Sequence, residues 1–241
     1  MTPEAPETSF ASDNTSGIIP EILAALSEVN NGPAIGYGDD IYTEKLRQQM
    51  NTLFGRDVTT LMAYGGTGAN IVGLQAMLKP WEAVICTKSS HINVDECSAP
   101  EKFLSAKLID LDSPDAKINP DMLRKEIEVL GIVHHAQPGA ISLTQSTEYG
   151  TLYSVDELKE IVKICKKSGL RIHMDGARIA NATAALGIPV AEFTSELGID
   201  ILSFGSGESE GYSGAYDDFP VTKLLCSAVS YTHLRANETR E

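Results

Sequence analysis

The 241-residue sequence lacks the features of several large protein classes. It contains no apolar stretch of about 18 residues, the length that could cross a bilayer, and its first thirty residues hold no apolar run of signal-peptide length. Basic residues are scarce, because 19 Lys and Arg stand against 33 Asp and Glu, for a formal charge of -14. Such a charge repels phosphate backbones and anionic lipid, so we expect neither nucleic acid nor membrane among the partners.

Cysteines are few and widely spaced. The four of them form neither a Cys-x-x-Cys pair nor the dense pattern of a disulfide scaffold: Cys86, Cys97, Cys165 and Cys226. This spacing predicts reduced thiols and a cytoplasmic location. His134 and His135 are adjacent, but they lack the i, i+4 spacing of a helical metal site and a third ligand. We therefore predict no metal.

Short apolar segments rich in β-branched residues alternate with longer segments of helical period. The predicted strands are Ala83–Cys86, Ala106–Ile109, Ala140–Leu143, Leu170–Met174 and Asp200–Ser203. The predicted helices cover residues 20–29, 41–54, 68–78, 120–130, 154–167 and 177–186. In a chain with 42% hydrophobic residues, this alternation predicts an α/β fold, with a mostly parallel sheet flanked by helices.

Several predicted helices carry their own end signals. Ser154 precedes Glu157 at the spacing of a capping box, which predicts a helix start there. Gly169 and Gly187 follow two helical segments, where a residue in the left-handed conformation commonly ends a helix.

The segment Tyr64-Gly-Gly-Thr-Gly-Ala-Asn70 follows the apolar run Val58 to Ala63 and opens a helical segment. Backbone amides at a helix N-terminus attract anions, and glycines allow a ligand to approach the backbone closely. Gly66, Thr67 and Gly68 are therefore candidates for holding a phosphate group. The alternative is an ordinary strand-to-helix turn, because neither a nucleotide P-loop nor a full dinucleotide fingerprint is present.

Two further candidates follow predicted strands and so fall at the carboxyl edge of the sheet, where open α/β sheets bind ligands. Asp175, three residues before Arg178, could pair with a cationic ring nitrogen or could instead be the N-cap of the next helix. His91 could stack on a ring or relay a proton, although a structural histidine is the commoner outcome.

Taken together and in this order, these segments resemble the threonine aldolase and β-eliminating lyase family of fold-type I pyridoxal-phosphate enzymes. The segments that carry the resemblance span about residues 10 to 204. They are Phe10-Ala-Ser-Asp-Asn-Thr-Ser-Gly17, Tyr37-Gly-Asp-Asp-Ile-Tyr-Thr-Glu44, Gly66-Thr-Gly-Ala-Asn70, His91-Ile-Asn-Val-Asp-Glu96, Ser142-Leu-Thr-Gln-Ser-Thr-Glu148 and His173-Met-Asp-Gly-Ala-Arg-Ile-Ala-Asn181.

The resemblance implies a cofactor, pyridoxal 5'-phosphate, and a role for each candidate. Gly66, Thr67 and Gly68 would hold its phosphate, His91 would stack on its ring, and Asp175 would keep its ring nitrogen protonated. The implied large domain belongs to the fold-type I transferase-like fold, and family members assemble as dimers or tetramers.

The substrate side follows from the same resemblance. Arg178 would contact the phenolic oxygen of the cofactor or the substrate carboxylate, and Ser12 would help to position that carboxylate. The implied reaction cleaves a β-hydroxy amino acid such as threonine to glycine and an aldehyde. His91 or a bound water would then take the proton from the β-hydroxyl group.

The sequence departs from the family pattern after Ser203-Phe-Gly205, where the family continues to the lysine that carries the cofactor covalently. Glu208 stands at the expected lysine position, and the next lysine is Lys223. We therefore divide the chain into an N-terminal arm (1–17), an incomplete cofactor-binding large domain (18–204) and a non-family tail (205–241) without order. A truncated or frame-shifted gene product, lacking the small C-terminal domain, would explain this departure.

Three functions remain open at this point. The first is a lyase of the threonine aldolase type, inactive in this chain because the lysine is absent. The second is a non-catalytic protein that binds pyridoxal phosphate or another phosphate compound, which Glu208 favours. The third is another fold-type I β-eliminating lyase.

Overall fold

A central sheet organises the structure, a computed structural model that describes residues 20–205 and the backbone of residues 227–231. Its strands are β1 (Thr59–Ala63), β2 (Glu82–Thr87), β3 (Lys107–Leu111), β4 (Gln137–Thr144), β5 (Arg171–Gly176), β6 (Ile201–Phe204) and β7 (Ser227–Tyr231). Across the sheet the order is β1-β7-β6-β5-β4-β2-β3. Strands β2 to β6 pair in parallel, whereas β7 runs antiparallel to both β6 and β1. The prediction of a mostly parallel sheet is confirmed.

The described helices are α1 (Pro20–Val29), α2 (Ile41–Leu53), α3 (Gly65–Met77), α4 (His91–Val94), α5 (Ala99–Leu104), α6 (Pro120–Glu126), α7 (Val155–Ser168) and α8 (Ile179–Leu186). Short 3-10 turns occupy Ile127–Val129 and Val190–Phe193. Six of the helices overlap the predicted ones. Helices α4 and α5 were not predicted, because four and six residues are too few to show a helical period.

The predicted helix ends are confirmed where the chain carries strong signals. The Ser154 hydroxyl accepts the backbone N–H of Glu157, whose side chain accepts the N–H of Ser154, so α7 begins with a capping box. Gly169 and Gly187 end α7 and α8 with φ values of 74° and 66°, in the left-handed region that glycine adopts without steric cost.

Alternating strand residues pack against different sets of helices. Ile141, Leu143 and Met174 belong to a core cluster that includes residues of α2, α6 and α7. Ala140 and Ile201 belong to a second cluster with residues of α3 and α5. Ile172 and Met174 belong to the first cluster. Because side chains alternate along a strand, His173 and Asp175 point to the opposite face of the sheet, the one that α3 covers.

The tail contributes a strand that the sequence analysis did not predict. Residues 205–241 were expected to lack order, but the backbone of 227–231 forms β7 between β1 and β6. The pairing supplies partners to ladder groups of β1 and β6, which explains how a short segment in this position is held. The rest of the predicted tail, from residue 206 to 226 and from 232 onward, lies outside the described residues, as does the predicted arm (1–17).

Within residues 20–205 and 227–231, none of the helices combines the length and the apolar character that crossing a membrane requires.

Candidate active site

The N-terminus of α3 faces open space. The strand-to-helix turn places Gly65 at φ 78°, and the N-cap residue Tyr64 makes no capping hydrogen bond with its side chain. The first backbone N–H groups of a helix have no partner within the helix. A Cβ added to Gly65, Gly66 or Gly68 would meet no atom of the described residues within 4 Å. The first turn therefore presents donors to a space that can admit an anion such as a phosphate group, with the Thr67 side chain half-buried beside it.

Asp175 lies near the carboxyl end of β5, and the side chain is buried, with 5% of the residue exposed. Its Oδ2 accepts a hydrogen bond from Asn70 Nδ2 at 3.0 Å, and its Oδ1 accepts the backbone N–H of Ala177 at 3.1 Å. The alternative interpretation of Asp175 as a helix N-cap is wrong, because α8 begins at Ile179 and its N-cap residue is Arg178. Within the described part of the chain, the donors to this carboxylate are both neutral.

A second buried carboxylate joins His91 to the same asparagine. The Glu96 side chain is completely buried, and its Oε1 lies 2.8 Å from His91 Nδ1 and 2.8 Å from Asn70 Nδ2. The His91 ring is 40% exposed, so one part of it remains open to a ligand. Asn70 thus connects the carboxylate beside His91 with the carboxylate of Asp175.

Glu148 completes a group of three acidic side chains that we call the carboxylate cluster (Glu96, Glu148 and Asp175). Glu148 Oε1 accepts the backbone N–H of His91 at 2.8 Å and the hydroxyl of Thr144 at 3.2 Å. Burial raises the pKa of Glu148, and the negative charge of Asp175 adds to that rise.

Among the described residues, the donors to the carboxylate cluster are neutral apart from the titratable His91 ring. The hydrogen bond that His91 Nδ1 donates to Glu96 raises the pKa of His91. Three buried oxygens in or beside the cluster have no hydrogen-bond partner among the described residues: Asn70 Oδ1, Glu96 Oε2 and Glu148 Oε2. Buried polar atoms without partners are rare in folded proteins and often mark a place where a ligand binds.

A neutral histidine, His173, lies on β5 two residues before Asp175. His173 is fully buried on β5, with its Nδ1 2.9 Å from the Ser142 hydroxyl and its Nε2 2.9 Å from the Ser203 hydroxyl. Desolvation lowers the pKa of His173 to about 4, so the ring is neutral at physiological pH. One serine therefore donates to the ring and the other accepts from it.

The structure brings most of the predicted site residues to one edge of the sheet. Asn70, in the second turn of α3, contacts Asp175, so the glycine-rich turn lies close to β5, and the chain Asn70–Glu96 links both to His91. Arg178 is half-buried just after the turn that follows β5. Ser12, Glu208 and Lys223 lie outside the described residues.

Sequence reasoning gave no role to Asn70, Glu96 or Glu148, although all three stand in the quoted segments. A sequence signal for Glu96 existed, since it follows His91 by five residues, within reach of a short helical turn. The contacts of Asn70 with β5 join residues 105 positions apart and needed the fold. Across the described part of the chain, no group of three or more His, Cys, Asp or Glu side chains is arranged to hold a metal ion.

Comparison with known structures identifies the fold class. The chain superposes on a threonine aldolase of Leishmania major with a TM-score of 0.82 and 27% sequence identity, over 92% of this chain and 62% of that one. The fold is that of the large domain of fold-type I pyridoxal-phosphate enzymes.

Sequence comparison then gives the family. Residues 9–209 match the family described as Beta-eliminating lyase, and the chain belongs to that family. It is 42% identical over 197 residues to low specificity L-threonine aldolases of a Pseudomonas sp. and of Pseudomonas aeruginosa, which covers 81% of this chain and 57% of each relative. The chain thus spans a little more than half the length of these curated relatives.

Proposed function

We propose that this chain is the cofactor-binding part of a pyridoxal-phosphate-dependent carbon–carbon lyase of the threonine aldolase type. Its substrate would be a β-hydroxy amino acid, threonine or allo-threonine, which is cleaved to glycine and an aldehyde. The observation that carries the proposal is the buried Asp175 carboxylate beside the open N-terminus of α3, within the segment that matches the family.

The residues present fit pyridoxal phosphate. The free space in front of Gly65, Gly66 and Gly68 suits a phosphate group, which the amides of the turn and the Thr67 hydroxyl would hold. Asp175 is positioned by neutral donors and so can face a protonated ring nitrogen. His91 would lie against the ring. When bound, the cofactor supplies an electron sink for the pair left at Cα as a bond to it breaks.

Proton transfer would be the task of His91. Its Nδ1 is held by Glu96, which leaves Nε2 to take the proton of the substrate β-hydroxyl group. A base works in its neutral form, and the pKa of His91 is raised. We therefore expect activity of a complete enzyme with this site to increase as pH rises through the pKa of His91.

The remaining assignments concern the substrate and the assembly. Arg178 and Ser12 would bind the substrate carboxylate or, for Arg178, the phenolic oxygen of the cofactor. The full-length protein would form a dimer or tetramer. Cys86, Cys97 and Cys165 are free thiols, which supports action in the reducing cytoplasm.

A second candidate function has one observation in its favour. Glu208 stands where the family has its lysine, and a carboxylate cannot make the covalent link to the cofactor. On this account the chain binds pyridoxal phosphate reversibly without turnover. A third candidate, another β-eliminating lyase of the same fold type, would differ in residues that contact the substrate.

Borohydride reduction distinguishes these candidates. The purified chain is mixed with pyridoxal phosphate, its absorption spectrum is recorded before and after reduction, and the mass of the chain is measured. We expect reversible binding without a covalent adduct in the wild-type chain, and a gain of adduct in Glu208→Lys. Glu210→Lys is the matched control, since it adds the same charge two residues away. A wild-type adduct, for example on Lys223, would show that another lysine replaces the missing one. No binding at all would contradict the proposed function.

A further inference from the structure

Asn70 contacts both Asp175, which would face the nitrogen of a bound pyridine ring, and Glu96, which holds the His91 ring. Asn70 is 2% exposed, and its single amide nitrogen donates to Glu96 Oε1 at 2.8 Å and to Asp175 Oδ2 at 3.0 Å. Both partners are acceptors, so the amide nitrogen and not the oxygen must face them. The orientation of the side chain is therefore fixed by chemistry.

An uncharged double donor is well suited to this place. Two carboxylates that approach one another repel, and a lysine between them would neutralise the charge that a cationic ligand needs. An asparagine amide supplies two N–H groups and no net charge. It can hold Glu96 and Asp175 in fixed directions while leaving both of them negative.

The same link reaches the ring of His91. Glu96 is fully buried, and its Oε1 binds both Asn70 Nδ2 and His91 Nδ1, so the direction of this carboxylate also sets the direction of the imidazole. The acidic groups that raise the pKa of His91 are Glu96, Asp175 and Asp95, whereas Glu148 accepts the backbone N–H of His91. Among these, Glu96 is the one that binds the ring itself.

We infer that Asn70 and Glu96 are positioning residues, which orient the Asp175 carboxylate and the His91 ring as one unit toward the nitrogen and the face of a bound pyridine ring. This inference rests on the proposed function for the identity of the ring, but not for the contacts. Neither residue touches the reacting atoms. Loss of either one should therefore weaken the specific contact that it aligns and leave the phosphate contacts intact.

The test for Asn70 compares two ligands. Equilibrium binding of pyridoxal phosphate is measured against binding of its deaza analogue, in which carbon replaces the ring nitrogen. For Asn70→Ser we expect about a ten-fold or larger loss of affinity for pyridoxal phosphate and a change of less than about three-fold for the analogue. Gln75→Ser, an exposed change in the same helix, is the control and should affect neither ligand. Equal losses for both ligands would mean a merely structural role and would overturn the inference.

A measurement without cofactor separates this inference from the proposed function. If the wild-type chain binds neither ligand, the proposed function fails. The contact between Asn70 and Asp175 is then tested by a double-mutant cycle of Asn70→Ser and Asp175→Asn in urea unfolding. Coupled effects on the free energy of unfolding support this contact, and additive effects overturn it.

The Glu96 contact is tested by NMR titration of His91 in the cofactor-free chain, with the signal assigned by its loss in His91→Gln. In Glu96→Gln, which keeps the shape of the side chain, we expect the pKa of His91 to fall by about one unit, a ten-fold loss of proton affinity. An unchanged His91 titration would show that Glu96 does not hold the ring.

Discussion

The two ends of strand β5 differ in how their charges are balanced. At the amino end, Arg171 forms an ion pair with Glu82, and Glu82 also accepts the backbone N–H of Lys79 at 2.9 Å. At the carboxyl end, Asp175 lies in the carboxylate cluster and accepts hydrogen bonds from the neutral groups of Asn70 and Ala177. Opposite charges at one end stabilise the fold, whereas like charges at the other end lower its stability, and the cationic ligand that we propose would offset this repulsion. Such a contrast within one strand separates a structural edge from a functional one.

The largest expected effect concerns His173, which lies between these two ends. Its pKa in the folded chain, about 4, is below its ordinary value of 6.5, so protonation opposes folding. The stability of the chain should be complete above about pH 6.5 and fall as pH decreases toward 4, by up to about 3 kcal/mol from this residue alone.

Urea unfolding of the wild type and of His173→Gln, measured from pH 7 to pH 4, checks this expectation. The variant should lose less stability on acidification than the wild type. Parallel curves would show that His173 is not the group that resists protonation.

Asp175→Asn should affect ligand binding more than stability. It removes a charge from the carboxylate cluster, so the cofactor-free chain should be as stable as the wild type or slightly more stable. Affinity for pyridoxal phosphate should fall by about 10- to 100-fold, because a hydrogen bond between charged groups is lost. Fluorescence titration measures the affinity. Glu82→Gln, at the amino end, is the control and should bind as the wild type does.

Arg171→Leu should have the opposite effect. It leaves the Glu82 carboxylate, which is 13% exposed, without its cation, and we expect a loss of about 1–2 kcal/mol of unfolding free energy. Affinity for pyridoxal phosphate should not change. The comparison between the two ends would break down if this variant kept its stability and lost binding.

The smallest expected effects on stability concern two glycines of helix α3, Gly73 and Gly68. A Cβ on Gly73 would lie 2.9 Å from Ile201 Cγ2, so Gly73→Ala should overpack the interface with the sheet and lower stability by about 1 kcal/mol net of the gain in helix propensity. A Cβ on Gly68 meets no described atom within 4 Å, so Gly68→Ala should raise stability by up to about 1 kcal/mol.

Binding reverses the order of these two variants. The new methyl group of Gly68→Ala would stand in the space proposed for the phosphate, so affinity for pyridoxal phosphate should fall, whereas Gly73→Ala should bind normally if folded. Thermal unfolding and ligand titration of both variants check the pair. Equal affinities of the two variants for pyridoxal phosphate would contradict the proposal that the phosphate binds at the first turn of α3.

Much of the fold could be predicted from sequence because its signals are local. Apolar runs gave five strands, and the capping box at Ser154 and the glycines at 169 and 187 gave helix ends. Strand β7 could not be predicted, since this five-residue segment is held by pairing with β1 on one side and β6 on the other and not by its own pattern. The helix α4, which carries His91, was too short to show a period.

The site could also be predicted only in part. His91 and Asp175 became candidates because each follows a predicted strand, and strand ends meet at one edge of a parallel sheet. Their roles toward a cofactor stay predictions. The link between these two residues through Asn70 and Glu96 was not found, because it joins three elements distant in sequence. The roles of Gly66, Thr67, Gly68, Arg178 and Ser12 stay predictions.

The most direct test of the account is the ¹⁵N chemical shift of pyridoxal phosphate labelled at its ring nitrogen and bound to the full chain. The account predicts the shift of a protonated pyridine nitrogen in the wild type and that of an unprotonated nitrogen in Asp175→Asn. An unprotonated nitrogen in the bound wild type would contradict the claim that the carboxyl end of β5 is built to hold a cationic ring.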